Sequence, residues 1–210
     1  MNHQFHALLV EGTSGVGKST VIDAIIRQHV RTAPPRKLRS LTHLAQTHTY
    51  GPLAPAEDRR TLSVAENQAH LERIVSMLEW LHAAHDSSPV PSFAVIDTLH
   101  FTHCMRPGVV TWTDVQPYDT RLAAIGCKVL LLTAERETLR TRSIEARAGS
   151  QFLQYARKFG ETHENILEHF VGEQTAMIAY LERTQMRTKR LWAEADLEGA
   201  ATAARAFWHS

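Results

Sequence analysis

Cysteine is scarce in this chain of 210 residues, with Cys104 and Cys127 the two present. Two thiols cannot build a disulfide framework, and their scarcity points to a reducing compartment such as the cytoplasm. Net charge is scarce as well. The 23 lysines and arginines nearly cancel 22 acidic residues, leaving a formal +1, which gives no electrostatic reason to expect nonspecific nucleic-acid binding. Long apolar runs are missing, none approaching the roughly 20 residues of a membrane span. The N-terminus enters an apolar strand almost at once, His6 to Val10, without the long apolar stretch of a secretory signal. Internal repeats, low-complexity tracts and a dividing linker are missing too. The expectation is one cytoplasmic domain over residues 1–210, on no membrane, long enough to bury a core without metals or disulfides.

What is present is alternation. The apolar run Ala7-Leu8-Leu9-Val10 is followed by glycine-rich punctuation, then by Val21, Ile22, Ile25 and Ile26 at helical spacing, ending before Pro34-Pro35. Lys37 to Thr42 is a weaker strand candidate, and Tyr50 to Thr61, with Gly51, Pro52 and Pro55, reads as loop. Val64 to about His82 carries Leu71, Ile74, Val75, Leu78 and Leu81 on helical spacing. Phe93 to Ile96 and Lys128 to Thr133 are further buried-strand runs, the second followed by a helix from about Glu135 to Arg147. Ile166, Leu167, Phe170, Val171, Ile178 and Leu181 mark a long helix, and Arg190 to Ala193 a last strand before a closing helix near Phe207-Trp208. Uninterrupted apolar strands alternating with amphipathic helices predict an α/β domain whose parallel sheet is covered on both faces.

The segment Gly12-Thr13-Ser14-Gly15-Val16-Gly17-Lys18-Ser19 satisfies G-x-x-x-x-G-K-[ST] and is followed by Thr20. Its residue types fit the chemistry of a phosphate cradle. Gly12, Gly15 and Gly17 permit backbone angles closed to other residues, so that successive N–H groups turn toward phosphate oxygens. Those amides and the start of the following helix hold the anion, with Thr13, Ser14, Val16 and Thr20 completing the loop. Lys18 is expected to reach the β- and γ-phosphates of ATP, and the Ser19 hydroxyl to ligate Mg²⁺. The motif follows a strand and opens a helix, which is the setting it requires.

Asp97 ends the run Phe93 to Ile96, placing a carboxylate at the C-terminal edge of the sheet, where ligands of open α/β sheets bind. If that strand neighbours the cradle strand, Asp97 stands near the Mg²⁺, as its ligand or as the base for the acceptor's proton. A turn or helix-capping aspartate is the plainer alternative.

On these residues the chain resembles the P-loop nucleoside and nucleotide monophosphate kinases, most closely the thymidylate-kinase-like group. The matching pieces are Val10 to Thr20, the strand ending in Asp97, and the strand Val129 to Leu132 with an arginine-rich helix after it. The resemblance implies a three-layer P-loop NTPase fold with a five-stranded parallel sheet, and a small lid at about residues 145–160. It also implies ATP-dependent phosphoryl transfer to a small molecule such as a nucleoside or nucleoside monophosphate; the partners expected are that small-molecule acceptor and a second copy in a homodimer. In such kinases lid arginines offset charge on the transferred group. Here Arg140, Arg142, Arg147, Arg157 and Lys158 are available, with Arg142 and Arg147 assigned that role. Related kinases build part of the acceptor pocket where Glu57-Asp58-Arg59-Arg60 stands, so Arg59 or Arg60 can meet an acceptor phosphate.

One departure matters. The resembled group carries an Asp-Arg pair after this strand, whereas Asp97 is followed by Thr98. Either Arg106 replaces that arginine or the acceptor bears no phosphate there, which leaves an antibiotic or metabolite kinase as the alternative. His100, just beyond Asp97, is placed in the acceptor pocket. His100, His103 and Cys104 do not make a zinc site without matching ligands elsewhere. Trp112 and Tyr118 are packing residues or base-stacking ones. A GTPase should show Asn-Lys-x-Asp, which is absent, and a motor-type ATPase a second carboxylate where Thr98 stands.

Overall fold

The computed structural model describes residues 5–32, 40–49, 63–86, 91–105, 110–193 and 196–210. Five strands, β1 Phe5–Glu11, β2 Ser40–Leu44, β3 Ser92–Asp97, β4 Lys128–Thr133 and β5 Arg187–Trp192, form one sheet in the order β2-β3-β1-β4-β5. Every pairing is parallel. The helices are α1 Lys18–Arg31, α2 Gln46–Thr49, α3 Val64–Asp86, α4 His100–Cys104, α5 Trp112–Ala124, α6 Arg136–Ser143, α7 Gln151–Ala156, α8 His163–Leu181 and α9 Leu197–His209.

Why the central strands run apolar is plain from their burial. β3 and β4 are buried at every residue, as a parallel sheet covered on both faces requires. Side chains alternate between two cores. Leu8, Val10, Phe93, Val95, Leu130 and Leu132 pack with α1, α8 and α9 around Trp208. Ala7, Leu9, Ala94, Ile96, Val129 and Leu131 pack with α3, α4 and α5 around Phe101 and Trp112.

The α/β, five-stranded parallel architecture is as expected, with boundary shifts. β2 runs on past Thr42 to Leu44, positions 37–39 of the expected strand lying outside the described residues, and β5 starts earlier, at Arg187. The helix expected to run from about Glu135 to Arg147 stops at Ser143, and Glu145–Arg147 is a 3₁₀ turn. In the expected lid, α7 lies between that turn and a second one, Arg157–Phe159. The loop reading of Tyr50 to Thr61 lies outside the described residues.

Two features align the functional edge. β3 lies beside β1 with Val10 opposite Asp97, and the Thr98 amide donates to the Val10 carbonyl at 3.0 Å. The end of the glycine-loop strand and the carboxylate of the next strand therefore share one edge of the sheet.

Candidate functional site

The loop between β1 and α1 is built on glycine geometry. Gly12 has φ +151° and Gly15 has φ +79°, a range that disfavours residues with a β-carbon. Space forbids a side chain as well. A β-carbon on Gly12 would lie 2.8 Å from the Leu132 carbonyl oxygen, and one on Gly15 would lie 2.0 Å from Ser143 Oγ.

Four side chains hold this loop in shape. The Ser143 hydroxyl donates to the Ser14 carbonyl at 2.7 Å. Arg142 donates to the Val16 carbonyl at 3.5 Å and to the Ala193 carbonyl, bridging the loop to the segment after β5. The Thr13 hydroxyl donates to Glu173 Oε2 at 2.6 Å. Lys18 Nζ donates to the Gly12 carbonyl at 2.6 Å and the Thr13 carbonyl at 3.1 Å.

Charge converges on Lys18. Burial lowers its pKa, the carboxylates of Asp97, Glu11 and Glu173 oppose that, and Arg147 reinforces it. Arg147, itself lowered by burial, therefore stands within electrostatic reach of the Lys18 ammonium, its guanidinium over the Phe152 ring. Burial also raises Asp97 above the usual carboxylate range; Lys18 and His43 partly offset it and Asp23 adds to it. Asp97 is 6% exposed, and its Oδ1 has no hydrogen-bond partner among the described residues. A buried, unsatisfied carboxylate oxygen is uncommon and marks either strain or an unfilled ligand role.

Glu11 fixes the backbone beyond Asp97. Fully buried, it accepts the Leu99 amide at 2.8 Å, the Phe101 amide at 3.2 Å and the Thr102 hydroxyl at 2.7 Å. Burial raises its pKa, although His100, those donors and Lys18 favour its charge. Between Asp97 and Leu99, Thr98 has φ +56°. A β-branched residue in that region is strained, and such strain concentrates at functional sites. Thr49 supports the turn by donating its hydroxyl to the Asp97 carbonyl at 2.5 Å.

The other expected site residues fall in several places. Ser19 and Thr20 are exposed in the first turn of α1. Arg136 and Arg140 pair with Glu164 on α8, Arg136 also with Glu168. The Lys158 ammonium lies 3.5 Å from the centre of the Tyr155 ring. His100 is enclosed, its Nε2 3.0 Å from Asp119 Oδ1. Trp112 is packed among Phe101 and Tyr180, and the Tyr118 hydroxyl donates to the Gln68 carbonyl. Arg59, Arg60 and Arg106 lie outside the described residues. Glu173, Ser143 and the structural use of Glu11 are additions. Glu11 carries a signal, an acid inside a buried strand, whereas nothing local singles out Glu173.

No family model matches the sequence, and no curated protein matches it. Among solved structures, the YorR protein of Bacillus subtilis, crystallised in complex with phosphorylated GDP, aligns with 97% of this chain and 95% of its own. The TM-score is 0.55 at 12% identity. The likeness is one of fold, a five-stranded, all-parallel sheet flanked by helices in a three-layer α/β arrangement. In that arrangement the glycine loop after β1 and Asp97 at the end of β3 share one sheet edge, with Lys18 within electrostatic reach of Asp97.

The groups gathered here suit a polyanion with a divalent cation. Lys18 and Arg147 supply positive charge, while the exposed Ser19 hydroxyl and the unsatisfied Asp97 oxygen are hard oxygen donors of the kind Mg²⁺ takes.

Proposed function

We propose that residues 1–210 form one kinase domain that transfers a phosphoryl group from ATP to a small molecule, a nucleoside or nucleoside monophosphate. The observation that carries this reading is the convergence of Lys18, Asp97 and Arg147 on a glycine loop held by Ser143, Arg142 and Glu173. YorR, which shares the fold, was solved with a phosphorylated guanine nucleotide, and that supports a nucleotide ligand.

In the proposed reaction the amides of Gly12 to Ser19 cradle the phosphates, and Lys18 and Arg147 offset the charge that develops on the transferred group. Ser19 and Asp97 would hold Mg²⁺, which when bound supplies further neutralisation at the phosphate oxygens. Asp97, its pKa raised by burial, is alternatively the group that accepts the acceptor's proton. Arg142 serves this chemistry by steadying the loop through the Val16 carbonyl. Arg59 and Arg106 remain the acceptor-side candidates, whereas His100, enclosed and paired with Asp119, would act on the acceptor side only through its neighbours.

A kinase of a non-nucleotide small molecule is favoured by one observation, Thr98 standing where the resembled group has arginine. Labelled ATP incubated with nucleosides, nucleoside monophosphates and aminoglycoside-like compounds separates the two. Transfer to the first two classes supports the leading reading, and transfer to the last alone supports the second. Hydrolysis of ATP with transfer to none of them would sink both.

A further inference from the structure

Glu173 is a carboxylate with no counterpart in the glycine-loop motif, and in the reaction proposed above it touches neither the phosphates nor the cation. It stands near the middle of α8 and is 19% exposed. Its Oε2 accepts the hydroxyl of Thr13, the first residue after Gly12, at 2.6 Å. Its Oε1 lies 3.2 Å from His169 Nε2, one helical turn earlier. The His169 ring in turn stacks on Phe159 at 4.0 Å, at the end of the lid segment. Glu173 also acts on Lys18, favouring its charged form. Next to it, Gln174 donates to the Ala134 carbonyl at 3.0 Å and accepts the Ala134 amide at 2.9 Å. That pair of hydrogen bonds fixes α8 to the end of β4, so Glu173 meets the loop from a rigid support.

The consequence for the loop follows from what Thr13 does with its other groups. Its carbonyl accepts from Lys18, as does that of Gly12. A rotated Thr13 peptide would move both the lysine's anchor and the neighbouring amides. Small misplacements of preorganised donors carry large losses in binding and rate.

We propose that Glu173 is a positioning residue of the phosphate cradle, setting the Thr13 peptide and through it Lys18. This rests on the nucleotide-binding reading above. The test is a double-mutant cycle on the affinity of the whole chain for Mg²⁺ with non-hydrolysable analogues of ATP and GTP. E173A and T13V are each expected to weaken binding about tenfold, and the double variant by no more than about tenfold, because both remove one contact. E173Q, which keeps an acceptor oxygen, should stay within about threefold of wild type. E168Q on the same helix should bind as wild type. Wild-type affinity in E173A, or a double variant losing the product of the single losses, would overturn the proposal. Should E173A fail to fold, T13S and T13V decide by comparison: T13S, which retains the hydroxyl, should lose clearly less affinity than T13V, and equal loss in both would refute the contact's role. A wild-type chain that binds neither analogue brings down the nucleotide reading and this inference with it.

Discussion

Ser143 donates its hydroxyl to the carbonyl of Ser14 at 2.7 Å, so the last residue of α6 is seated against the glycine loop. The fit leaves no room for a β-carbon on Gly15, which would meet Ser143 Oγ at 2.0 Å, Cβ at 2.9 Å and Cα at 3.0 Å. Gly15→Ala is therefore expected to destabilise the fold by about 1–3 kcal/mol, read as a lower urea midpoint. Adding Ser143→Ala should not restore it, because the Ser143 Cβ and Cα remain in the way. Restoration would mean the loop has room that this geometry denies.

Arg142 and Arg147 are five residues apart and differently employed. Arg142 is committed to the Val16 and Ala193 carbonyls, whereas Arg147 acts electrostatically on Lys18. Arg142→Ala should lower stability by about 1–2 kcal/mol through the lost carbonyl contacts. If the proposed reaction holds, Arg147→Ala should lower kcat by about 10²-fold, since charge on the transferred group goes unopposed, while costing no more than about 1 kcal/mol of stability for the lost Phe152 ring contact. Steady-state kinetics and thermal melts on both variants check the division. The reverse pattern would exchange their roles.

Lys18→Met should reduce phosphoryl transfer at least about a hundredfold without unfolding the chain, because burial already disfavours the ammonium. A transfer assay beside a melting curve tests both halves. Activity retained in this variant would mean the loop is not where the phosphates sit.

Asp119 supplies the pH prediction. Burial alone would raise its pKa, but hydrogen bonds from His100, the Gln185 amide and the Thr184 hydroxyl outweigh that and hold it below the usual carboxylate range. A depressed folded-state pKa contributes stability above the unfolded value and loses it as pH falls through the folded one. Asp119→Asn should therefore cost on the order of 1–3 kcal/mol at pH 7. The gap to wild type should close as the medium is acidified below the unfolded pKa of about 4. Chemical denaturation at pH 7 and in acid checks the sign. A gap that widens in acid would contradict the assignment.

Glu11 separates hydrogen bonding from charge. Glu11→Ala strands the buried Leu99 and Phe101 amides and should destabilise by about 1–3 kcal/mol. Glu11→Gln keeps an acceptor oxygen and avoids a buried charge that desolvation already disfavours, so it should stay close to wild type. Urea denaturation ranks the three, and a Gln variant as damaged as the Ala one would show that the charge itself is needed.

Much of the fold was legible because its signals are local. Strands buried on both faces must be apolar from end to end, and Ala7 to Val10, Phe93 to Ile96 and Val129 to Leu132 are. The glycine loop is equally local, since conformation and ligand demand the same residue types within eight positions. α5 is poorly legible in the sequence, because Pro117 lies inside it and a proline in a helical pattern signals a break. Yet its capping box, Thr111 with Asp114, was written in the chain. Among the basic residues after β4, composition could not separate Arg147 from Arg136 and Arg140, whose partners lie on α8. Glu173 was out of reach for the same reason, meeting Thr13 across 160 positions of sequence.

The place of β1 in the strand order carries a further consequence. With β3 and β2 on one flank and β4 and β5 on the other, thermal fraying that begins at either rim must peel away two strands before it reaches the one bearing the glycine loop. Backbone amides of Ala7 to Val10 should then exchange with solvent deuterium only through global unfolding, the slowest class in the protein. An arriving ligand meets a receptor already organised, with little entropy left to lose there. Encounter, and not local folding, would then set the pace of association.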